Sequence, residues 1–488
     1  MAKQVSPGVL ALRKVVDDVY ADAREAKKQG KLVGWSSSKF PCELAEAFDL
    51  NVMYPENQAA GIAAQRDGEI MCQAAEDLGF DNDICGYARI SLAYAAGKRA
   101  SRKFDPETLE FIIDPNSGKP LKDENGKVVI DPETGKPKKD PKTQVPYTVL
   151  DDIHEIEALP ETTEKEIAYK NFRREAIKPY KQMRIPQPDF VLCCNNICNC
   201  MTKWYENIAR MCNIPLIMVD IPYNNTVEVS DSAVKYVRAQ FDNAIHELEK
   251  LTGKKFDEKK FELACKHANR TCKHANRTAQ NWLKVCDFLQ YKPAPMSGFD
   301  LFNHMADVVT ARGKEAAADA FELLSKDLQK NIEEGTSTLP FPEQYRVMFE
   351  GIPCWPKLPN LFKPLKENGI NVTAVVYAPA FGFVYNNMDE MARAYYKAPN
   401  SVCIEQGVAW REGICRDNKV DGVLVHYNRS CKPWSGYMAE MQRRFTADLG
   451  VPCAGFDGDQ ADPRNFNEAQ YTTRVQGLVE AMEANKKD

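Results

Sequence analysis

No apolar run in the chain approaches the length needed to cross a membrane, and the opening residues Met1-Ala-Lys-Gln-Val-Ser-Pro7 lack the apolar core of a secretion signal. A strong charge of one sign is also missing. The net charge of −5 gives no electrostatic case for nucleic acid or an anionic membrane surface as a partner. The sixteen cysteines are scattered, not set in a small disulfide framework, so a reduced, cytoplasmic protein is expected in which some thiols serve as ligands. The compact Cys-x2-Cys-x2-Cys run of a ferredoxin is absent, and so is a Gly-x4-Gly-Lys-Ser/Thr phosphate loop.

What is present reads as a soluble α/β chain too long, at 488 residues, for one core. Its organising stretch is Phe190-Val-Leu-Cys-Cys-Asn-Asn-Ile-Cys-Asn-Cys-Met-Thr-Lys-Trp-Tyr-Glu206. Phe190 to Cys194 is a short buried strand, and an amphipathic helix follows from about Thr202. Between and within them fall Cys193, Cys194, Cys198 and Cys200. Thiols grouped where a strand hands over to a helix can hold a soft metal or an iron–sulfur cluster. Cys193 and Cys194 read first as strand core, where unpaired cysteine is common, which leaves Cys198 in the turn as the stronger ligand candidate.

The N-terminal third alternates helix (9–30), strand (Lys31 into the loop Ser36-Ser-Ser38), helix from Pro41 and Glu43, strand (Leu50 to Pro55) and helix (Ala59 to Leu78), with Cys85 near a further helix start. Residues 101–180 are rich in Lys, Pro and Asp. Ile113-Asp-Pro-Asn-Ser-Gly-Lys-Pro120 is echoed by Ile130-Asp-Pro-Glu-Thr-Gly-Lys-Pro137, and Asn125-Gly126 between them signals a hairpin. Residues 229–335 are mainly helical and contain the tandem heptad Cys265–Thr271 and Cys272–Thr278, which a helix can absorb with little rotation of its faces. Four strands follow, Arg346–Glu350, Val372–Tyr377, Gly422–Tyr427 and Pro452–Phe456. The expected architecture is two small parallel-sheet units, Rossmann- or flavodoxin-like, facing a cleft, with a helical middle segment and a surface insertion. The corresponding parts are a helical arm (1–30), a first α/β domain (31–228, with 101–180 inserted), a helical segment (229–340) and a second α/β domain (341–488).

Ligands in open α/β sheets gather beyond the carboxyl ends of the strands, where the serine loop, Glu56, Cys198 and Cys431 all fall. Cys85, Cys198 and Cys431 each lie where a turn meets a helix start, a position that favours the thiolate. Three thiolates on a four-iron cluster would leave one iron open for chemistry; zinc on the same thiolates is the competing reading. Asp457, Asp459 and Asp462 lack the spacing of a calcium loop, and Asp462-Pro463 reads as a helix cap followed by proline.

Gly34-Trp-Ser-Ser-Ser-Lys-Phe-Pro-Cys-Glu43, Tyr54-Pro-Glu-Asn-Gln58, Asp83-Ile-Cys-Gly-Tyr-Ala-Arg89, Cys194-Asn-Asn-Ile-Cys198, Asn428-Arg-Ser-Cys-Lys432 and Gly455-Phe-Asp-Gly-Asp-Gln-Ala-Asp-Pro463 together resemble the α subunits of the 2-hydroxyacyl-CoA dehydratases, a family related to benzoyl-CoA reductase. Within the family, the length and insertion most resemble members acting on 2-hydroxyglutaryl thioesters. The resemblance implies a [4Fe-4S] cluster on Cys85, Cys198 and Cys431, with Cys193, Cys194 and Cys200 not ligands. It implies water or hydroxide on the fourth iron near a serine of the loop, Ser38 first and Ser37 second.

The implied chemistry adds one electron to the thioester. The resulting ketyl radical anion expels hydroxide and the β-hydrogen becomes acidic, after which the electron is recycled. Glu56 is the candidate base, or else a structural carboxylate capping its helix. Lys39 is the candidate receptor for a distal carboxylate, with a plain surface lysine as the simpler reading. Ser38 could serve as a helix cap, and His426 reads as a satisfied core histidine before it reads as a base. The implied partners are a homologous β subunit with its own cluster, an ATP-dependent iron–sulfur activator and an acyl-CoA, with flavin (FMN) possible in the complex. The missing phosphate loop fits ATP being used on another protein. A benzoyl-CoA reductase-type subunit and a non-catalytic electron-transfer subunit are the alternatives.

Overall fold

The computed structural model describes residues 5–124, 126–178, 184–268, 277–399 and 401–486. Its strands in chain order are β1 (Val33–Ser36), β2 (Asn51–Met53), β3 (Lys98–Arg102), β4 (Thr148–Asp152), β5 (Phe190–Cys194), β6 (Leu216–Val219), β7 (Tyr345–Glu350), β8 (Ile370–Val375), β9 (Gly422–Asn428) and β10 (Cys453–Gly458). They form two parallel four-stranded sheets, ordered β2-β1-β5-β6 and β10-β9-β7-β8, and a separate antiparallel pair, β3-β4.

The inner strands of the parallel sheets, β1, β5, β7 and β9, are short and almost wholly buried because helices cover both faces of each sheet. In β5 the alternation is visible residue by residue. Val191 and Cys193 face one core, and Phe190, Leu192 and Cys194 face another built with Phe40, Phe48 and Phe241. Cys193 and Cys194 are therefore packing residues. The first core is continuous from Leu12 through Trp35 of the first sheet to Val425 of the second. Gly34 lets β1 lie against β5, since a Cβ there would come within 2.3 Å of the Phe190 ring. Between the sheets the chain is helical (Asp231–Thr252, Glu258–Ala268, Arg277–Asp287, Gly298–Thr310 and Glu315–Glu333), and the Pro7–Lys28 helix packs on the last two of these. Among the described residues no helix is long and apolar enough to cross a membrane.

The helix expected over Ala59–Leu78 is two helices, Pro55–Ala64 and Gly68–Asp77. Arg66 between them takes a left-handed conformation, φ 69°, and the buried Asp67 carboxylate is held by Lys178 at 2.6 Å. Pro55, with φ preset for a first helical position, starts the earlier helix, so Glu56 sits in a helical first turn and not at a strand end. The Cys200–Cys212 helix likewise begins two residues earlier than its amphipathic pattern indicated.

Of the 101–180 segment, β3 and β4 form the base, and Phe104 and Phe111 pack on Phe172. Farther out the arm is held by isolated bridges such as Pro120 with Lys139 and Ile130 with Pro137, and its side chains are largely exposed. Asn125 of the expected Asn-Gly turn, and most of the duplicated heptads, lie outside the described residues.

Candidate metal and acid–base site

The carboxyl ends of both sheets open onto one cavity of about 80 Å³. Ser38, Lys39, Glu56, Cys85, Cys198, Cys200 and Cys431 line it, with Tyr87, Trp204, Tyr377, Phe381 and Trp434 making much of the remaining wall. A second chamber of about 210 Å³ shares Ser38, Glu56, Tyr377 and Phe381 with it and adds Asn57 and Asn303. A larger hollow of about 680 Å³ beside the Pro7–Lys28 helix is lined by none of the seven polar and thiol groups.

Each of the three singled-out thiols is delivered by a pinned turn. Beyond β5, the Asn195 side-chain oxygen accepts the Ile221 amide at 2.7 Å and the Asn196 side chain donates to the Tyr395 carbonyl at 2.9 Å, which fixes the turn to Cys198. Beyond β9, the Cys431 amide closes on the Asn428 carbonyl at 3.2 Å. Cys85 is the N-cap of the Gly86–Ala95 helix. The Gly86 amide donates to the Ser430 hydroxyl at 2.9 Å, and Lys432 pairs with Asp83, so the Cys85 and Cys431 turns are joined directly. The amides three residues on, of Ala88, Met201 and Trp434, act to lower the three thiol pKa values. Burial outweighs them. It pushes Cys431 up to about 12 and raises Cys85 and Cys198, each raised further by neighbouring sulfurs. Burial thus overrides the helix-start argument for thiolates, and binding a metal would have to release these protons.

Cys200, which sequence reasoning set aside, is on the same wall, and the Cys85 backbone amide acts on its sulfur. Its position two residues after Cys198 was the available signal, and the helix beginning at Cys200 turns it inward. No group of three His, Cys, Asp or Glu side chains among the described residues converges as a single-ion site; the thiols stand around the cavity instead.

The acid–base half comes from the first sheet. Ser37 is committed to structure, since its hydroxyl accepts the Cys194 amide at 2.8 Å and it does not line the cavity. Ser38 does line it and is not a helix cap, because the N-cap of the following helix is Pro41. The Ser38 amide donates to the Glu56 carboxylate, tying the loop after β1 to the helix after β2. Burial pushes the Glu56 carboxyl up to about 7 against the opposing pull of Ser38 and Lys39. Lys39 is 2% exposed, donates to the Ala380 carbonyl at 2.8 Å and lies over the Phe381 and Phe383 rings. Burial, helped by the nearby Arg312 charge, brings it down to about 7. Arg312 donates to the Tyr395 hydroxyl at 2.6 Å beside the buried Glu43. It had no motif to mark it in the helical middle segment. His426 is a core histidine: Nδ1 lies 2.6 Å from the Ile352 carbonyl, Nε2 lies 3.3 Å from Cys354 Sγ, and its ring stacks on Phe456.

Residues 157–482 match the family described as HGD-D, 2-hydroxyglutaryl-CoA dehydratase, D-component. The chain is 70% identical to (R)-2-hydroxyglutaryl-CoA dehydratase, subunit alpha, of Acidaminococcus fermentans, over 99% of both chains. The chain belongs to the 2-hydroxyglutaryl-CoA dehydratase D-component family. Within this dehydratase family it is also 43% identical to the (R)-phenyllactyl-CoA dehydratase alpha subunit of Clostridium sporogenes, over 97% of this chain and 95% of the relative. A benzoyl-CoA reductase chain of Thauera aromatica is more remote, 23% identical over 61% of this chain and 71% of its own. The family match takes in Cys198 and Cys431, and the 70%-identical relative extends the likeness over the serine loop, Glu56 and Cys85.

Proposed function

We propose that this chain is the α subunit of a dehydratase that converts (R)-2-hydroxyglutaryl-CoA to (E)-glutaconyl-CoA and water. The observation that carries the reading is one cavity, shared by the ends of both sheets, that gathers Cys85, Cys198 and Cys431 with Ser38 and Glu56. The relatives' names set the reaction class and, through the word alpha, a partner subunit.

The donor set fits a [4Fe-4S] cluster on Cys85, Cys198 and Cys431. The ligands are soft sulfurs in a mostly apolar enclosure, and their spread around a cavity suits attachment at separate irons better than one zinc ion. When bound, the cluster would supply one-electron reduction of the thioester and a Lewis-acidic iron for the departing hydroxyl, which makes the β-hydrogen acidic.

The chain's own residues supply the rest. Glu56, whose carboxyl burial pushes up to about 7, is poised to exchange a proton near neutrality and takes the β-proton. The Ser38 amide holds the Glu56 carboxylate in place, and the Ser38 hydroxyl, beside that carboxylate on the cavity wall, would meet the leaving oxygen. Lys39 is the cation of the cavity wall and receives the distal carboxylate of a glutaryl chain, whose charge would draw the ammonium form back. The aromatic walls exclude water, which strengthens each of these interactions. The net change is loss of the α-hydroxyl and one β-hydrogen as water, with no net redox. The neighbouring chamber, reached past Ser38 and Glu56, offers space for the rest of the acyl thioester.

The test is anaerobic assembly with a homologous β subunit and an ATP-dependent iron–sulfur activator. It requires iron, sulfide and zinc analysis and product identification. Iron with sulfide and a 2-enoyl-CoA product support the reading. Zinc without sulfide, or a dienoyl-CoA from an aromatic thioester, would overturn it.

A further inference from the structure

The Asp459-Gln-Ala-Asp462 turn beyond β10 has no part in the chemistry above, yet it is held by several hydrogen bonds. Asp459 accepts the amides of Ala461 at 2.8 Å and Asp462 at 3.0 Å, closing the turn on itself. The Trp355 amide holds the Gln460 carbonyl at 3.2 Å. Asp462 pairs at 3.0 Å with Arg89, which lies on the helix that Cys85 caps. Close approach of the turn to that helix start depends on glycine at 86, where a Cβ would come within 2.7 Å of Asp459.

All of this fixes one side chain. Gln460 is fully buried and lines the thiol cavity; its Nε2 donates to Cys85 Sγ at 3.2 Å, and its Oε1 takes the Ser430 hydroxyl at 3.5 Å. Ser430 in turn accepts the Gly86 amide at 2.9 Å, which completes a ring of hydrogen bonds around the Cys85 turn. Backbone amides face all three thiols, but among the described residues no side chain donates to Cys198 or Cys431.

We infer that Gln460 sets the reduction potential of the metal centre through Cys85, by donating an amide N–H to the ligating sulfur. This rests on the reading of Cys85 as a cluster ligand. A hydrogen bond to a thiolate sulfur withdraws electron density and stabilises the reduced cluster more than the oxidised one, so it raises the potential. In a buried site with few competing donors the effect is not screened by solvent. Gln460 is a positioning and tuning residue; it touches a ligand, not the substrate.

The test uses the anaerobically purified α–β complex carrying Gln460→Met, which keeps length and volume but removes the donor, and Gln460→Glu, which replaces the N–H with an acceptor. Iron and sulfide are measured first. The α-subunit cluster is then titrated with redox mediators and followed by electron paramagnetic resonance. Iron content is expected to stay at the wild-type level in Gln460→Met. The reduced-to-oxidised ratio at a fixed poise is expected to fall about tenfold, equivalent to a one-electron potential about 59 mV lower. Gln460→Glu should fall at least as far. An unchanged ratio in an iron-replete Gln460→Met would overturn the inference. If that variant loses iron, Ser430→Ala decides, since it removes the hydroxyl that orients the amide and leaves Cys85 in place. A lowered ratio in Ser430→Ala supports tuning, and an unchanged one means Gln460 serves structure alone. Full iron content in Cys85→Ser would sink the ligand reading itself, a separate outcome.

Discussion

The first sheet delivers Ser38, Lys39 and, from the helix after β2, Glu56 to the cavity, whereas the second delivers Ile352, Cys431 and Gln460. The second wall is not short of ionisable groups. Its carboxylates and imidazole are spent elsewhere: Asp459 on backbone amides, Asp462 on Arg89 and Arg464, and His426 on the Ile352 carbonyl and Cys354. Burial drives His426 down to about 4, so it stays neutral through the physiological range. Two sheets of the same parallel construction thus divide the work. In the proposed reading proton handling falls to the first wall, and thiols come from both.

That division breaks first at the sulfurs. Serine at Cys85, Cys198 or Cys431 should each abolish iron retention and lower turnover by roughly a thousandfold or more, about 4 kcal/mol of lost transition-state stabilisation. Parallel substitution of Cys193, whose side chain only packs in β5, should leave iron content unchanged. Elemental analysis beside an anaerobic assay reads both, and an iron-replete, active Cys431→Ser would remove the second wall from the site.

Glu56→Gln comes next. Turnover should drop by about 10²–10⁴ with iron retained, the range for loss of a general base. The same variant should be more stable. The Glu56 carboxyl has a folded-state pKa of about 7 against an ordinary 4.5, so the folded form binds this proton more tightly than the unfolded form. The contribution is fully present below about 4.5 and is lost as pH climbs through about 7. Removing the buried charge should therefore add about 1–3 kcal/mol above neutrality, read by denaturant unfolding at pH 6 and pH 8. A purely capping carboxylate would give the opposite sign, which separates the two roles that the residue's position left open.

Lys39 sharpens the first wall. Lys39→Met should raise KM for a dicarboxylic acyl-CoA by roughly 10–100-fold and spare a substrate with an apolar chain, in keeping with loss of a charged hydrogen bond worth about 1.5–3 kcal/mol. Both Glu56 and Lys39 sit near 7, with opposite requirements: the base must lose its proton and the cation must keep one. The wild-type rate should rise with pH as Glu56 ionises and fall as Lys39 deprotonates, giving a narrow maximum near neutrality. In Lys39→Met the alkaline fall should vanish and the acid limb remain.

Much of this was legible in the residues. Parallel strands covered on both faces announce themselves as short apolar runs, and cysteines beyond them had few other places to go than the shared end of the sheets. What escaped were effects of three-dimensional closure. Ser37 and Ser38 look alike in sequence, but one hydroxyl is consumed by the Cys194 amide, whereas Ser38 lines the cavity with its side chain beside Glu56. Cys200 and Gln460 face it only because a helix begins two residues early and a turn closes on Asp459. Arg312 acts on Lys39 through space, from a helical region that carries no motif. The favourable setting of a thiol at a helix start was real, but burial, invisible in the spacing, was the larger influence.

The smallest effect is expected where neither wall reaches. The arm between β3 and β4 is anchored by Phe104 and Phe111 on Phe172, but its outer part depends on isolated bridges and leaves Ile130 51% exposed. Replacing residues 119–139 by a short glycine-containing turn keeps the aromatic anchor and removes almost no buried surface. Stability should change by no more than about 0.5 kcal/mol, as for surface changes remote from core or caps. Iron content and kcat/KM of the α–β complex should match the intact chain. A raised KM for every acyl-CoA alike would place the outer arm against the coenzyme, and a loss of complex on gel filtration would place it against the partner subunit. Either result would extend the site beyond the two sheets, because a segment with so little core of its own can affect turnover only by touching something the cavity walls do not.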